Sequence, residues 1–215
     1  RVMAFIFVPM AAGLIVLALP AIQFLYMGEG AFTVEDSFVV RRALTPYAVG
    51  IPFFAVESSL DKWYFALGDT ATPNYVGAAG AVLHILIAWF GVHVLGRNVG
   101  VIALALTASK GLKVIALYGL LRRHLDRVPR VEVLLFVTRL AVATALMVLA
   151  LVVAANALGG MIVEAGRLQR AIFLVICSGV GAFVYLAAAA LLRIEEVGQV
   201  TGFVRTKLSR RLRSG

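Results

Sequence analysis

The sequence predicts an all-α fold, a polytopic transmembrane helical bundle of about six spanning helices. Three observations predict it. The chain of 215 residues is 62% hydrophobic and only 14% charged, against roughly 25% charged in a soluble domain. Its mean hydropathy is +0.98. Six apolar stretches, about 2–27, 43–67, 74–95, 99–121, 132–156 and 169–192, each reach the ~20 residues that a helix needs to cross hydrocarbon. No period-2 alternation suggests a barrel, so the backbone groups must be satisfied within helices.

The net charge of +9 suggests nucleic acid in a soluble protein. Here the basic residues sit between apolar runs and at the C-terminus, so orientation and anionic headgroups are expected and nucleic acid is not. The single Cys177 excludes a disulfide framework within the chain. The chain starts at Arg1, already at the edge of an apolar run, and a longer parent protein is expected.

The first run ends at Gly28-Glu29-Gly30, where the glycines break the helix. Thr33 followed by Asp36 matches a capping box and predicts a short surface helix leading into the second span. That span holds Pro46 and Pro52 in its first half and Glu57, Asp61 and Lys62 towards its end. Gly68 to Pro73 then forms a tight polar turn, with Thr72 expected to cap a third helix whose first helical position is Pro73. Gly77, Ala78, Ala79 and Gly80 permit close approach of a neighbour. Gly96-Arg97-Asn98 is short enough to make the third and fourth spans an antiparallel hairpin.

The Arg-rich connection from Arg122 to Arg130 and the tail carrying Arg193, Arg205, Lys207, Arg210, Arg211 and Arg213 outweigh the basic residues of the opposite face. The positive-inside bias makes both cytoplasmic. Val200, Val204, Leu208 and Leu212 recur every fourth residue among basic ones. This fits an amphipathic helix on an anionic leaflet, or equally a frayed polar tail.

Ionisable residues inside a span normally face a protein interior or a watery cavity, because each costs about 2.5–3.5 kcal/mol at the bilayer centre. Glu57 and Asp61 share one helix face, with Ser58 and Lys62 on the adjacent stripe. Lys110 and Lys113, beside Thr107 and Ser109, share a face of the fourth span. These five charged residues are the substrate or cavity candidates. A structural ion-pair network with a snorkelling lysine accounts for them about as well. Pairing of Lys110 and Lys113 with Glu57 and Asp61 is slightly favoured over binding of an anionic substrate. His84 and His93 are not at ligand spacing, so no metal site is expected, and His84 reads as a buried, hydrogen-bonded histidine. No Walker loop, dinucleotide fingerprint, HExxH motif or nucleophile elbow occurs. No enzyme is predicted.

The run Gly28-Glu-Gly-Ala-Phe32, Gly50, and Phe65-Ala-Leu-Gly-Asp-Thr-Ala-Thr-Pro73 resembles the MurJ (MviN) family of lipid II flippases. That family belongs to the multidrug/oligosaccharidyl-lipid/polysaccharide exporter superfamily. Agreement continues through Gly100 to Thr107, Leu121-Arg-Arg123, Thr138-Arg139-Leu140 and Arg167-Leu-Gln-Arg170. The resemblance implies the C-terminal six of fourteen helices in a two-lobed, alternating-access transporter of the bacterial inner membrane. The implied substrate is an undecaprenyl-pyrophosphate-linked peptidoglycan precursor, moved from the cytoplasmic to the periplasmic leaflet. The implied partner is an N-terminal lobe, and the last two helices are implied to form a lipid-tail groove.

On that basis residues 1–121 are a four-helix part of the lobe and 122–131 a basic cytoplasmic loop. Residues 132–192 are the two groove helices and 193–215 the basic cytoplasmic tail. No cofactor is implied; coupling by the membrane potential or by a monovalent cation stays open. The sequence departs from the family at a sodium site, where His84 and Ala88 stand for Asn or Asp, although Thr107 falls where a ligating Thr is expected. It also carries Glu57, Asp61 and Lys62 where family members often have a Lys near Ser58. The alternatives are a flippase for another polyprenyl-linked glycan, an ion-coupled exporter of the same superfamily, and a non-transporting membrane scaffold.

Overall fold

The computed structural model describes residues 1–27, 32–94, 99–122, 130–159, 166–194 and 196. The Gly28 turn, the Gly96 turn, most of the Arg-rich connection, Glu164 and the amphipathic tail lie outside the described residues. The described chain forms α1 (Val2–Tyr26), α2 (Val34–Ala66), α3 (Ala71–Val94), α4 (Val99–Leu121), α5 (Arg130–Leu158) and α6 (Arg167–Leu191), with no strand among the described residues. Five of the six are long and apolar enough to cross a membrane. The exception is α2, which is 33 residues long and carries seven charged residues.

The structure corrects the expected start of the second span. Surface helix and span form one continuous helix from Val34, running through Pro46 and Pro52. Its N-terminus is a capping box: Asp36 N–H donates to Thr33 Oγ1 at 3.2 Å, and Thr33 N–H donates to Asp36 Oδ2 at 2.8 Å. Ser37, one position on, is fully buried.

The other end is a Schellman turn. Gly68 takes φ +78°, its N–H donates to Phe65 O at 3.0 Å, and Asp69 N–H donates to Tyr64 O at 3.0 Å. The cap of α3 is also corrected. Asp69, not Thr72, supplies it, with Oδ1 accepting from Ala71 N–H at 3.1 Å and Thr72 N–H at 2.9 Å. A carboxylate there also complements the positive end of the helix dipole. Asp69 thus stops one helix with its backbone and starts the next with its side chain.

Tertiary contacts make α3 antiparallel to α4, and α5 antiparallel to α6. Gly91 of α3 faces Val101 of α4, and Gly80 faces Lys113; these two helices are the expected antiparallel pair. Helices α2 and α4 run parallel, Pro46 meeting Thr107 and Tyr64 meeting Leu117. A second group is built from α1, α5 and α6 around Phe5, Leu17, Leu140, Met147, Leu151, Phe173 and Tyr185. Contact between α1 and α2 joins the groups.

Lipid tails are as apolar as leucine, so close packing and interhelical hydrogen bonds hold such helices together. Tyr185 Oη donates to Phe5 O at 2.6 Å, and Tyr64 Oη to Leu117 O at 2.9 Å. A Cβ on Gly181 would lie 2.8 Å from Leu151 Cδ2, so α5 and α6 approach as closely as glycine allows.

Candidate functional site

One hydrogen bond sets the register of α4 against α2. Thr107 Oγ1 donates to the Pro46 carbonyl at 2.7 Å. Opposite it, a Cβ on Gly50 would come within 2.8 Å of that hydroxyl, so the residue has to be glycine for the bond to form. Further along, Leu60, Tyr64, Leu117 and Leu121 make an apolar seal. Between Thr107 and the seal lies a short interval of the interface, and it is charged.

In that interval Glu57 is buried at 7% exposure. Lys113 Nζ donates to its Oε1 at 2.6 Å. Lys110 Nζ lies 2.9 Å from Oε1 and 2.8 Å from Oε2, the approach to Oε2 lacking hydrogen-bond geometry. Lys113 also reaches Asp61 Oδ2 at 3.8 Å, while Asp61 Oδ1 is buried with no hydrogen-bond partner among the described residues. The formal charges of the four groups cancel, which removes most of the cost of placing any one of them in a membrane. Lys110 has a further contact, its ammonium 5.0 Å from the centre of the Phe54 ring.

Space for the lysines comes from α3. A Cβ on Gly77 would stand 3.4 Å from Lys113 Nζ, and one on Gly80 would stand 3.8 Å from Lys113 Cβ. The small residues that suggested close helix approach therefore make room for a long cation. Gly50, Phe54, Gly77 and Gly80 are the site residues that sequence reasoning missed as such. For Gly77 and Gly80 the only signal was small size in register with a buried lysine, and the register is a tertiary fact.

Two hollows flank the cluster. One, about 380 Å³, is open and lined by Phe54, Glu57, Ser58, Asp61, Lys62 and Lys110. The other, about 190 Å³, lies between α3 and α4 and is lined by Gly77, Gly80, His84, Ser109, Lys110 and Lys113 among others. Lys110 borders both. The structure thus brings Glu57, Asp61, Lys110 and Lys113 together and puts the exposed Lys62 at their edge.

His84 is a correction. Its Nε2 is enclosed but has no hydrogen-bond partner among the described residues, because the groups it faces on α4 are lysines and the committed hydroxyl of Ser109, which donates to Leu106 O at 2.8 Å. Thr107 does not line the hollow that His84 lines; its proton is given to α2. No cluster of metal-ligating side chains occurs among the described residues.

Residues 1–162 match the family model described as lipid II flippase MurJ. The chain belongs to the MurJ family. It is 32% identical over 200 residues to a probable lipid II flippase MurJ of Vibrio cholerae, covering 91% of this chain and 36% of that protein. A probable lipid II flippase MurJ of Thermotoga maritima is 27% identical over 196 residues, covering 91% of this chain and 37% of the relative. The lipid II flippase MurJ of Thermosipho africanus is 31% identical over 105 residues, covering 49% of this chain and 21% of the relative. The chain therefore spans little more than a third of the MurJ relatives it matches most fully. The MurJ match covers α1 to α5 and with them the whole ion-pair cluster.

Proposed function

We propose that this chain is the C-terminal lobe of a lipid II flippase, moving an undecaprenyl-pyrophosphate-linked peptidoglycan precursor across the bacterial inner membrane by alternating access. The MurJ match across residues 1–162 carries the reading. The charged interval supports it, since a pyrophosphate needs cations and the open hollow offers Lys62 and Lys110 beside Glu57 and Asp61. Lysine is a mobile point charge, able to exchange a carboxylate for a phosphate. Lys110, less buried than Lys113 and at the hollow's edge, is the residue placed to make that exchange. Lys113 stays with Glu57 and Asp61 and holds the carboxylates in place.

In this reading the wall opposite the hollow belongs to an N-terminal lobe, and α5 and α6 present a groove for the lipid tail. The Arg-rich connection and the tail face the cytoplasm and its anionic headgroups. His84 and Thr107 do not share a hollow, which favours coupling by the membrane potential over a cation held jointly by these two residues.

The test uses the full-length protein in cells depleted of their own flippase. Lys110→Gln with Lys113→Gln should abolish flipping while the protein still reaches the membrane. Adding Glu57→Gln and Asp61→Gln should recover stability but not flipping. Normal flipping by the quadruple variant would make the cluster a structural ion-pair network and overturn the assignment.

A further inference from the structure

We infer that the hollow between α3 and α4 is a binding site for a small inorganic anion of halide size. Among the described residues, its only charged lining residues are Lys110 and Lys113. Their carboxylate partners Glu57 and Asp61 line the opposite hollow instead. The cluster is neutral as a whole but polarised across its width, and its cationic side faces α3.

The second observation is His84. Its Nε2 is enclosed and unpartnered, and a buried polar atom without a partner costs about 1–3 kcal/mol. Cationic walls disfavour a metal ion and favour an anion, and an anion would accept from an Nε2–H and from free ammonium protons. Each lysine carries three donors. Glu57 engages one from each, and Asp61 lies beyond hydrogen-bond distance of Lys113 at 3.8 Å, so both lysines keep donors to spare. A volume of about 190 Å³ admits a halide with some water. Gly77 and Gly80 hold the space open, since any larger side chain there would project towards Lys113.

Such a site has a consequence for the neighbouring hollow. Lys110 borders both, so an anion bound beside α3 competes with Glu57 for its ammonium. This inference rests on the geometry between α3 and α4 and not on the identity of the transported lipid. Its failure would leave the proposed function standing, and the reverse.

The test is the thermal stability of the purified full-length protein in sodium chloride against sodium gluconate at constant ionic strength. The melting temperature should rise saturably with chloride and not with gluconate. His84→Leu should weaken the chloride response at least about tenfold, the equivalent of one charge-assisted hydrogen bond. His84→Gln, which keeps an N–H donor, should retain most of it. Bromide soaked into crystals of the unaltered protein should give an anomalous peak between His84 and the two lysines, a readout that does not depend on either variant folding. Equal responses to chloride and gluconate would mean that water alone, or the lipid's own phosphate, fills the hollow. That result, an unchanged chloride response in a folded His84→Leu protein, or bromide found only elsewhere would each overturn the proposal.

Discussion

Lys113 Nζ on α4 donates to Glu57 Oε1 on α2 at 2.6 Å and lies 3.8 Å from Asp61 Oδ2, so one ammonium ties together two carboxylates of a neighbouring helix. Lys110 touches only the first of them. The two lysines look equivalent in sequence, yet they differ in burial, with side-chain exposures of 10% for Lys113 and 25% for Lys110.

Stability should follow that difference. Lys113→Gln leaves Glu57 with one partner and Asp61 with none, and breaking a buried pair costs about 3–5 kcal/mol. Lys110→Gln leaves the stronger contact in place and should cost less than half as much. Adding Glu57→Gln to Lys113→Gln should recover part of the loss. Thermal unfolding of the detergent-solubilised protein measures all three, and equal effects of the two lysine variants would contradict this ranking.

Gly50→Ala should disturb the interface from the other side. Its Cβ would sit 2.8 Å from Thr107 Oγ1 and 3.4 Å from Phe54 Cε2, pushing the hydroxyl off the Pro46 carbonyl. Overpacking of this kind costs about 1–3 kcal/mol. Thr107→Ala removes the clashing atom, so the double variant should be more stable than the sum of the single changes predicts. Strict additivity in that cycle would show that the two residues are not coupled.

The capping box predicts a pH dependence at the start of α2, ahead of its apolar part. The Thr33 backbone N–H, then its hydroxyl, hold the exposed Asp36 carboxyl below its ordinary value. A lowered folded pKa means that the cap's contribution is fully present above the unfolded value of ~3.9 and lost as pH falls through the lower folded one. Amide protection at Ser37, whose N–H donates to Thr33 O at 3.3 Å, should hold steady from neutrality down to the carboxylate range and fall below it. In Thr33→Ala the fall should begin at higher pH. A profile that is the same in both proteins would show that the box does not set it.

Orientation is open to a direct check, helped by the burial of the native Cys177. Single cysteines at Asp69 and Asp126 should resist impermeant thiol reagents in intact cells, and one at Glu35 should react. Reaction at Asp126 from outside would reverse the bundle and take the basic tail with it.

The sequence by itself determined that this is a bundle of membrane-length helices, and nearly where each except α2 begins. Apolar length is a local quantity, and so are the signals that end helices, as Gly68, Asp69 and the Thr33–Asp36 pair show. Glu57, Asp61, Lys110 and Lys113 stood out for the same reason, since a charge is conspicuous in any apolar run.

Tertiary structure alone decided what each of them touches. Thr72 and Asp69 were both able to cap α3, and only the Schellman geometry of Gly68 aims the Asp69 carboxylate at the helix start. That Lys113 rather than Lys110 spans both carboxylates depends on the register of two parallel helices far apart in the chain. That register is set by one hydroxyl, Thr107, reaching one carbonyl, Pro46, across a glycine. His84 shows the limit most plainly: its spacing suggested an ordinary buried histidine, but its hydrogen bonding depends on what the facing helix presents, and that helix presents two cations.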